Sequence, residues 1–386
     1  MKMPNGATAP MTQFINDTQN KFQIVWDLGR RCTYACSYCP PHRNNKFSPL
    51  ATYDDLVKTM DFVADYVGMY EEYRKVPYRN KTLSFTGGEP TIHNSFFKFA
   101  RYVNETYPDF TVSMTTNGAF SERVAQECLE ILTGGTVSYH PESTPAMKKL
   151  VIKNIITLSK NLWRTNVMFH KDYFDECVDV CKQLDEAGVD YTPRRIGDDG
   201  GAQWSIDKGY THVYTEEQEA WFDNYFGASD AKEGRMCCGG RRFCTSTSNA
   251  STFLPSTNFK GWSCGVNWYF LFLNSEIRQI YTHQTCGVNL KGKVGPIGSF
   301  EDTEQILEEL ETQLFVKKKL PVITCPKDFC GCGMCIDKAE TPALFADVLK
   351  PKINELELDY VPEYTGDDHV SVSKIMKSLD NDNKET

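Results

Sequence analysis

The sequence contains no apolar run approaching the roughly 20 residues that a bilayer-spanning helix needs. Its densest short stretch, Trp268 to Leu273, suits a buried strand instead, so no membrane association is expected. Nor is there a block of five or six consecutive basic residues, and the formal charge is −9, from 42 Lys and Arg against 51 Asp and Glu. That balance argues against a nucleic-acid partner held through its phosphates. Residues 1–20 are polar and hold Pro4, Asn5, Gly6 and Asp17, without the apolar stretch of a secretory signal. The expected location is the cytoplasm. Low-complexity tracts and long internal repeats are also lacking.

What is present is a globular composition, 40% hydrophobic and 24% charged over 386 residues, enough for a barrel-sized domain and a smaller one. Fifteen cysteines stand out. A reducing cytosol disfavours disulfides, so metal is the leading explanation. Cys32, Cys36 and Cys39 crowd the beginning, and nine more fall between Cys237 and Cys335. Cys128, Cys177 and Cys181 lie singly on helical patterns and read as small buried hydrophobes.

From residue 22 to 196, β-branched or apolar runs alternate with amphipathic segments, the signature of βαβ units and a parallel sheet. Six strands are predicted: Phe22–Leu28, Thr82–Phe85, Phe110–Thr115, Thr136–Tyr139, Asn166–Phe169 and Tyr191–Ile196. Thr52 and Asp55 are placed as a capping box ahead of a stripe of Leu56, Met60, Val63, Val67 and Tyr70. Pro145 opens a second helix with Met147, Val151, Ile155, Leu158 and Leu162 on one face. A Gly, Asp and Ser-rich stretch brackets an aromatic helical segment around Trp221 and Tyr225. The expected division is an extension over 1–20, a barrel over 21–200, a connection over 201–235, a cysteine-rich domain over 236–340 and a C-terminal helix with a frayed tail over 341–386.

Cys32, Cys36 and Cys39 follow the first strand at spacings of three and two residues, and three thiolates from one loop suit a metal. An incomplete zinc site is the plain alternative. The run Arg31-Cys32-Thr33-Tyr34-Ala35-Cys36-Ser37-Tyr38-Cys39 resembles the C-x3-C-x2-C signature of the radical S-adenosylmethionine superfamily, with its aromatic residue before the third cysteine. Leu83-Ser84-Phe85-Thr86-Gly87-Gly88-Glu89-Pro90 resembles the Gly-Gly-Glu-Pro motif at the end of that superfamily's second strand. The resemblance implies an α/β fold with a partial (β/α)6 barrel. It also implies a four-iron, four-sulfur cluster on the three cysteines, with one iron open to S-adenosylmethionine. Thr86, Gly87, Gly88 and Glu89 are then candidates for holding that cofactor. The glycines would let backbone approach the ligand, and Glu89 would accept from its ammonium.

The site of a barrel lies at the C-terminal ends of its strands, which adds Thr115, Thr116 and Asn117, then Ser138, His140 and Glu142, then His170, and Arg194 with Arg195. By resemblance Asn117, Ser138 and Arg195 are cofactor-binding candidates. His140 and Glu142 are candidates for moving a substrate proton. Ordinary turn capping and surface exposure are the plain readings of the same residues.

In the C-terminal third, Cys264 and Cys286 bracket a hairpin, and Cys325, Cys330, Cys332 and Cys335 form a tight loop. This resembles the SPASM and twitch extensions that bind auxiliary iron–sulfur clusters, though Tyr281 stands where SPASM has glycine and the later spacings are four, one and two. Cys238, Cys244, Cys264, Cys286, Cys325, Cys330, Cys332 and Cys335 are ligand candidates for one or two auxiliary clusters, and a structural zinc is the alternative. Trp262, Trp268, Tyr269 and Phe270 are candidates for a pocket wall or for core.

The resemblance implies an enzyme that cleaves S-adenosylmethionine reductively and abstracts a substrate hydrogen atom. Its substrate would be a peptide or protein side chain, or alternatively a small metabolite such as an amino sugar, cyclitol or nucleoside. An electron donor such as flavodoxin or ferredoxin would be a partner. A noncatalytic iron–sulfur or zinc protein is the reading from another class.

Overall fold

A computed structural model of the chain describes residues 13–14, 21–39, 45–196, 212–231, 260–283, 288–291, 293, 295–326, 337–349 and 357–360. No described helix is long and apolar enough to cross a membrane. The chain divides into two compact units. One comprises Val25–Leu56 and Thr82–Phe253, the other Met1–Ile24, Val57–Lys81 and Leu254–Thr386, as far as each is described.

After a two-residue strand β1 (Gln13–Phe14), the chain alternates β2 (Lys21–Asp27), α1 (Tyr53–Arg74), β3 (Asn80–Thr86), α2 (Phe96–Thr106), β4 (Phe110–Thr116) and α3 (Glu122–Ile131). It continues through β5 (Gly134–Tyr139), α4 (Pro145–Leu158), β6 (Leu162–Phe169), α5 (Phe174–Glu186), β7 (Tyr191–Arg195) and α6 (Glu216–Ala231). Strands β2 to β7 lie side by side in sequence order, with β4 to β7 paired parallel. A helix joins each successive pair, the crossover that parallel neighbours require. This is the α/β arrangement that the strand alternation predicts, in the form of the partial barrel that the resemblance implies.

Local chemistry sets the helix starts. Thr52 and Asp55 form the expected capping box, with Asp55 N donating to Thr52 Oγ1 and Thr52 N to Asp55 Oδ2, both at 3.1 Å. Thr144 Oγ1 accepts from Met147 N ahead of Pro145. The expected apolar stripe on that helix stops short, because α4 ends at Leu158. Asn161 Oδ1 accepts from Leu162 N, and Leu162 opens β6 with 73% of its surface exposed. The core lies between the sheet and its helices: Trp26 packs edge-on against Phe99 at 5.4 Å, and Phe85 against Phe96 at 5.3 Å. Cys128, Cys177 and Cys181 are buried in this layer, as expected of them. Phe222 of α6 is fully buried, and Trp221 lies 4.7 Å from Phe169, so the helix expected within the connecting segment packs on this core.

The opposite face of the sheet is polar. Along β4, buried Phe110, Val112, Met114 and Thr116 alternate with more exposed Thr111, Ser113 and Thr115. The register sets Thr115 opposite Thr136, Thr136 opposite Arg164, Ser138 opposite Asn166, and Asn166 opposite Thr192. A closed barrel fills this position with bulky branched side chains; here it carries rows of hydroxyls, amides and guanidinium groups.

Four strands begin earlier than the sequence predicts: β2 at Lys21, β3 at Asn80, β5 at Gly134 and β6 at Leu162. A β-carbon at Gly134 would come within 2.3 Å of Leu162 O, and one at Gly135 within 2.4 Å of Met114 O and 2.6 Å of the Trp163 ring. These glycines, outside the predicted strand, serve close strand approach.

In the other unit, β9 (Phe270–Asn274) and β10 (Gln279–Tyr281) form an antiparallel hairpin continued by β11 (Gly298–Ser299), and Gln23 N donates to Tyr269 O at 2.8 Å. A second sheet orders β1, β13 (Lys338–Ala339), β8 (Ser263–Cys264), β12 (Lys319–Thr324) and β14 (Glu357–Tyr360). Trp262, Trp268, Tyr269 and Phe270 are all buried here and belong to core. Trp268 stacks on Phe345 at 6.0 Å, and Tyr78 Oη donates to Trp268 O.

Buried His283 lies 4.1 Å from the Phe270 ring. Burial, reinforced by Lys338, pushes its pKa down to about 3. The unfolded chain therefore takes up a proton near pH 6.5 that the folded chain refuses. Stability should fall as pH drops from about 6.5 toward 3, by at most ~1.4 kcal/mol per pH unit from this residue. Urea unfolding of the full chain at pH 6.5 and 4.5 should show a smaller loss for His283→Gln than for the native protein; equal losses would contradict a neutral, buried His283.

Candidate functional site

The site grows from the turn that ends β2. Asp27 Oδ1 accepts from Gly29 N at 2.9 Å, and Gly29 adopts φ +119°, a backbone that favours glycine. The chain then runs alongside the end of β3. Gly88 N donates to Gly29 O and Glu89 N to Arg31 O, both at 2.8 Å. A β-carbon at Gly87 would lie 2.5 Å from Gly29 O, and one at Gly88 only 2.1 Å from Arg31 O. The two glycines thus admit the protein's own backbone, seating the base of the cysteine loop directly on the Gly-Gly-Glu-Pro turn.

Glu89 is buried, and its carboxylate accepts from Thr91 N and Oγ1, from Thr116 Oγ1 through both oxygens, and from Asn117 N, at 2.7–3.2 Å. Burial raises its pKa, while the bonds from Asn117, Thr91 and Thr116 oppose that rise. Asn117 passes the connection on. Its Nδ2 donates to Thr33 Oγ1 at 2.9 Å and points at Cys32 Sγ at 3.6 Å, a sulfur that also accepts from Tyr34 N at 3.4 Å. Cys32, Cys36 and Cys39 are each half-buried. Desolvation raises the Cys32 thiol and pushes Cys36 up to about 12. Among the described residues, no three His, Cys, Asp or Glu side chains meet at one metal-sized point. The donor set nonetheless fits an iron–sulfur cluster in kind: three thiols from one loop, with N–H groups directed at a sulfur.

The ends of β5, β6 and β7 reach the same loop. His140 Nδ1 is hydrogen-bonded to Tyr38 Oη and lies 3.8 Å from Cys36 Sγ. Its ring stacks on Tyr38 at 5.9 Å, and desolvation pushes its pKa down to about 4. Glu142 Oε2 accepts from Ser37 N at 2.8 Å, and His170 Nε2 lies 3.4 Å from Ser37 Oγ. His212, which sequence reasoning overlooked, packs edge-on to His170 at 4.2 Å; no local pattern around it signals the contact. Thr86 closes β3, its carbonyl accepting from Leu28 N at 2.9 Å. Ser138 is buried one residue before the end of β5. Arg195 is turned to other partners: its Nη2 pairs with Glu219 Oε2, and its guanidinium lies 4.2 Å from the Phe222 ring centroid.

Of the C-terminal candidates, two are described. Cys264 on β8 sits opposite Ile323 and Lys338, and Cys325 follows β12, its N donating to Trp262 O at 2.7 Å. Both are buried. Cys238, Cys244, Cys286, Cys330, Cys332 and Cys335 lie outside the described residues.

Residues 26–131 match the model of the Radical SAM superfamily, a stretch that holds the cysteine loop, the Gly-Gly-Glu-Pro turn and Asn117. Over those residues the chain carries a domain that matches the radical S-adenosylmethionine superfamily. S-adenosylmethionine and a four-iron, four-sulfur cluster are the cofactors that this match supports. GTP 3',8-cyclase of Sulfurimonas denitrificans is 29% identical over 134 residues, 33% of this chain and 38% of that protein. The chain therefore matches well under half of that curated relative's length. Among solved structures, Streptococcus suis SuiB aligns at TM-score 0.44 and 12% identity over 68% of this chain and 60% of its own. The structure of native anSMEcpe with bound AdoMet aligns at TM-score 0.44 and 15% identity, over 75% and 81%.

Gly88→Ala should lower stability by about 1–3 kcal/mol, since the new carbon meets a carbonyl with no room to yield. Gly68→Ala in α1, where an added carbon meets nothing within 4 Å, should be neutral or stabilising. Chemical unfolding of both variants checks the pair; equal behaviour would mean the two loops are not zipped at Gly88.

Proposed function

We propose that the protein is a radical S-adenosylmethionine enzyme that abstracts a hydrogen atom from a peptide or protein side chain. The observation that carries the enzyme reading is the joining of the two superfamily motifs, with Glu89 and Asn117 tying the Gly-Gly-Glu-Pro turn to the cysteine loop. Cys32, Cys36 and Cys39 would hold the cluster, which when bound supplies the electron that cleaves S-adenosylmethionine to a 5′-deoxyadenosyl radical. The chain's own part is to place and shield. Gly87, Gly88 and Glu89 shape the wall beside the loop, and Ser138 and the polar rows of β4 to β7 offer hydrogen bonds to a bound cofactor. Preference for a peptide substrate rests on the resemblance of the cysteine-rich C-terminal third to SPASM and twitch extensions. Its cysteines, Cys264 and Cys325 included, would hold one or two auxiliary clusters that take up an electron during net oxidation.

A second reading is favoured by the GTP 3',8-cyclase match, namely a small nucleoside-like metabolite as substrate. The polar inner face of the sheet supports it as well, because hydroxyl and guanidinium rows suit a ligand with many hydrogen-bonding groups.

Anaerobic reconstitution with iron and sulfide, followed by metal counting and a 5′-deoxyadenosine assay, tests the class. Iron near eight or twelve per chain, for two or three four-iron clusters, is expected if auxiliary sites exist. Deoxyadenosine should form and vanish in the Cys32→Ala/Cys36→Ala/Cys39→Ala variant. Zinc in place of iron, with no cofactor cleavage, would instead make this a structural metal protein.

A further inference from the structure

The residue between the second cysteine and the aromatic position, Ser37, is gripped from two strand ends. Glu142, two residues after His140 at the end of β5, accepts from the Ser37 amide through Oε2 at 2.8 Å. Its other oxygen lies 3.7 Å from His170 Nε2. At the end of β6, His170 Nδ1 accepts from Asp172 N at 3.2 Å, so in the neutral ring the proton sits on Nε2. That N–H faces Ser37 Oγ at 3.4 Å. His212 closes the far side, edge-on to the His170 ring at 4.2 Å, with its own Nδ1 accepting from Lys171 N at 3.1 Å. His170 is buried and Glu142 mostly so, with side-chain exposures of 7% and 21%.

We propose that Glu142 and His170 are positioning residues that clamp the Cys36–Cys39 turn through Ser37. The proposal rests on the reading of this loop as the cluster-binding loop. Fixing the Ser37 amide fixes the peptide that leaves Cys36, and the Cys39 N to Cys36 O bond at 3.1 Å carries that restraint to the third cysteine. Groups that orient metal ligands from behind govern how tightly the metal is held, and losing one typically costs about 10–100-fold in affinity. A carboxylate engaged by a backbone amide and a histidine is organised to hold a loop, which sets its role apart from proton transfer.

The test uses the full-length protein, reconstituted with iron and sulfide, and follows iron loss to a ferrous chelator together with the midpoint potential of the cluster. Glu142→Gln keeps an oxygen that accepts from Ser37 N and should release iron within about twofold of the native rate, at an unchanged potential. Glu142→Ala and His170→Ala should release iron at least about tenfold faster, with a shifted potential. Should Glu142→Ala fail to fold, His170→Ala and Ser37→Ala test the clamp from its other members. Native release rates in the alanine variants, or a Glu142→Gln as leaky as Glu142→Ala, would overturn the proposal. Native protein that takes up no iron would overturn the cluster reading itself, a separate result.

Discussion

Everything at the site depends on one short stretch of shared backbone, the pair of hydrogen bonds from Gly88 N to Gly29 O and from Glu89 N to Arg31 O. Two chain segments whose cysteine and glycine motifs lie some fifty residues apart in sequence become neighbours there. The approach is too close for any side chain at residue 88. Glu89 then turns the contact into a three-way joint by receiving the end of β4 on its carboxylate. An unpaired buried carboxylate would be costly, and this one is tolerated because five donor contacts surround it.

Much of this was legible from residues alone, and the limits are physical. Alternating apolar and polar runs exposed the strands because their period survives in the sequence, and Thr52 and Asp55 announced a helix start by local spacing. Gly134 and Gly135 fell outside the predicted strand, because their fit against Leu162, Met114 and Trp163 comes from neighbouring strands and leaves no local pattern. Glu89 was visible as a cofactor-binding candidate. Its partners, Thr116 and Asn117, are distant in sequence, so no local pattern could tell an acceptor for a ligand from one for the protein's own amides. Glu142 and His170 were visible as strand-end candidates, while their convergence on Ser37 required the register of β5 against β6. His212 follows a stretch outside the described residues, and nothing nearby in the sequence marks it.

The other unit shows what cysteine counting can and cannot deliver. Cys264 lies on β8 and Cys325 directly follows the neighbouring β12, with Cys325 N donating to Trp262 O. Spacing alone leaves the ligand partition open, because sheet pairing and not sequence distance decides which thiols are neighbours.

The hydroxyl-bearing face of the parallel sheet has a thermodynamic corollary. Strands β4 to β6 bury their apolar side chains on one face only, and the other presents Thr115, Thr136, Asn166 and Thr192 in cross-strand rows. A guest settling on that face would displace water from polar groups more than from hydrocarbon. Its association would therefore carry a small heat-capacity change, with selectivity set by the geometry of exchanged hydrogen bonds and not by the greasiness of the guest.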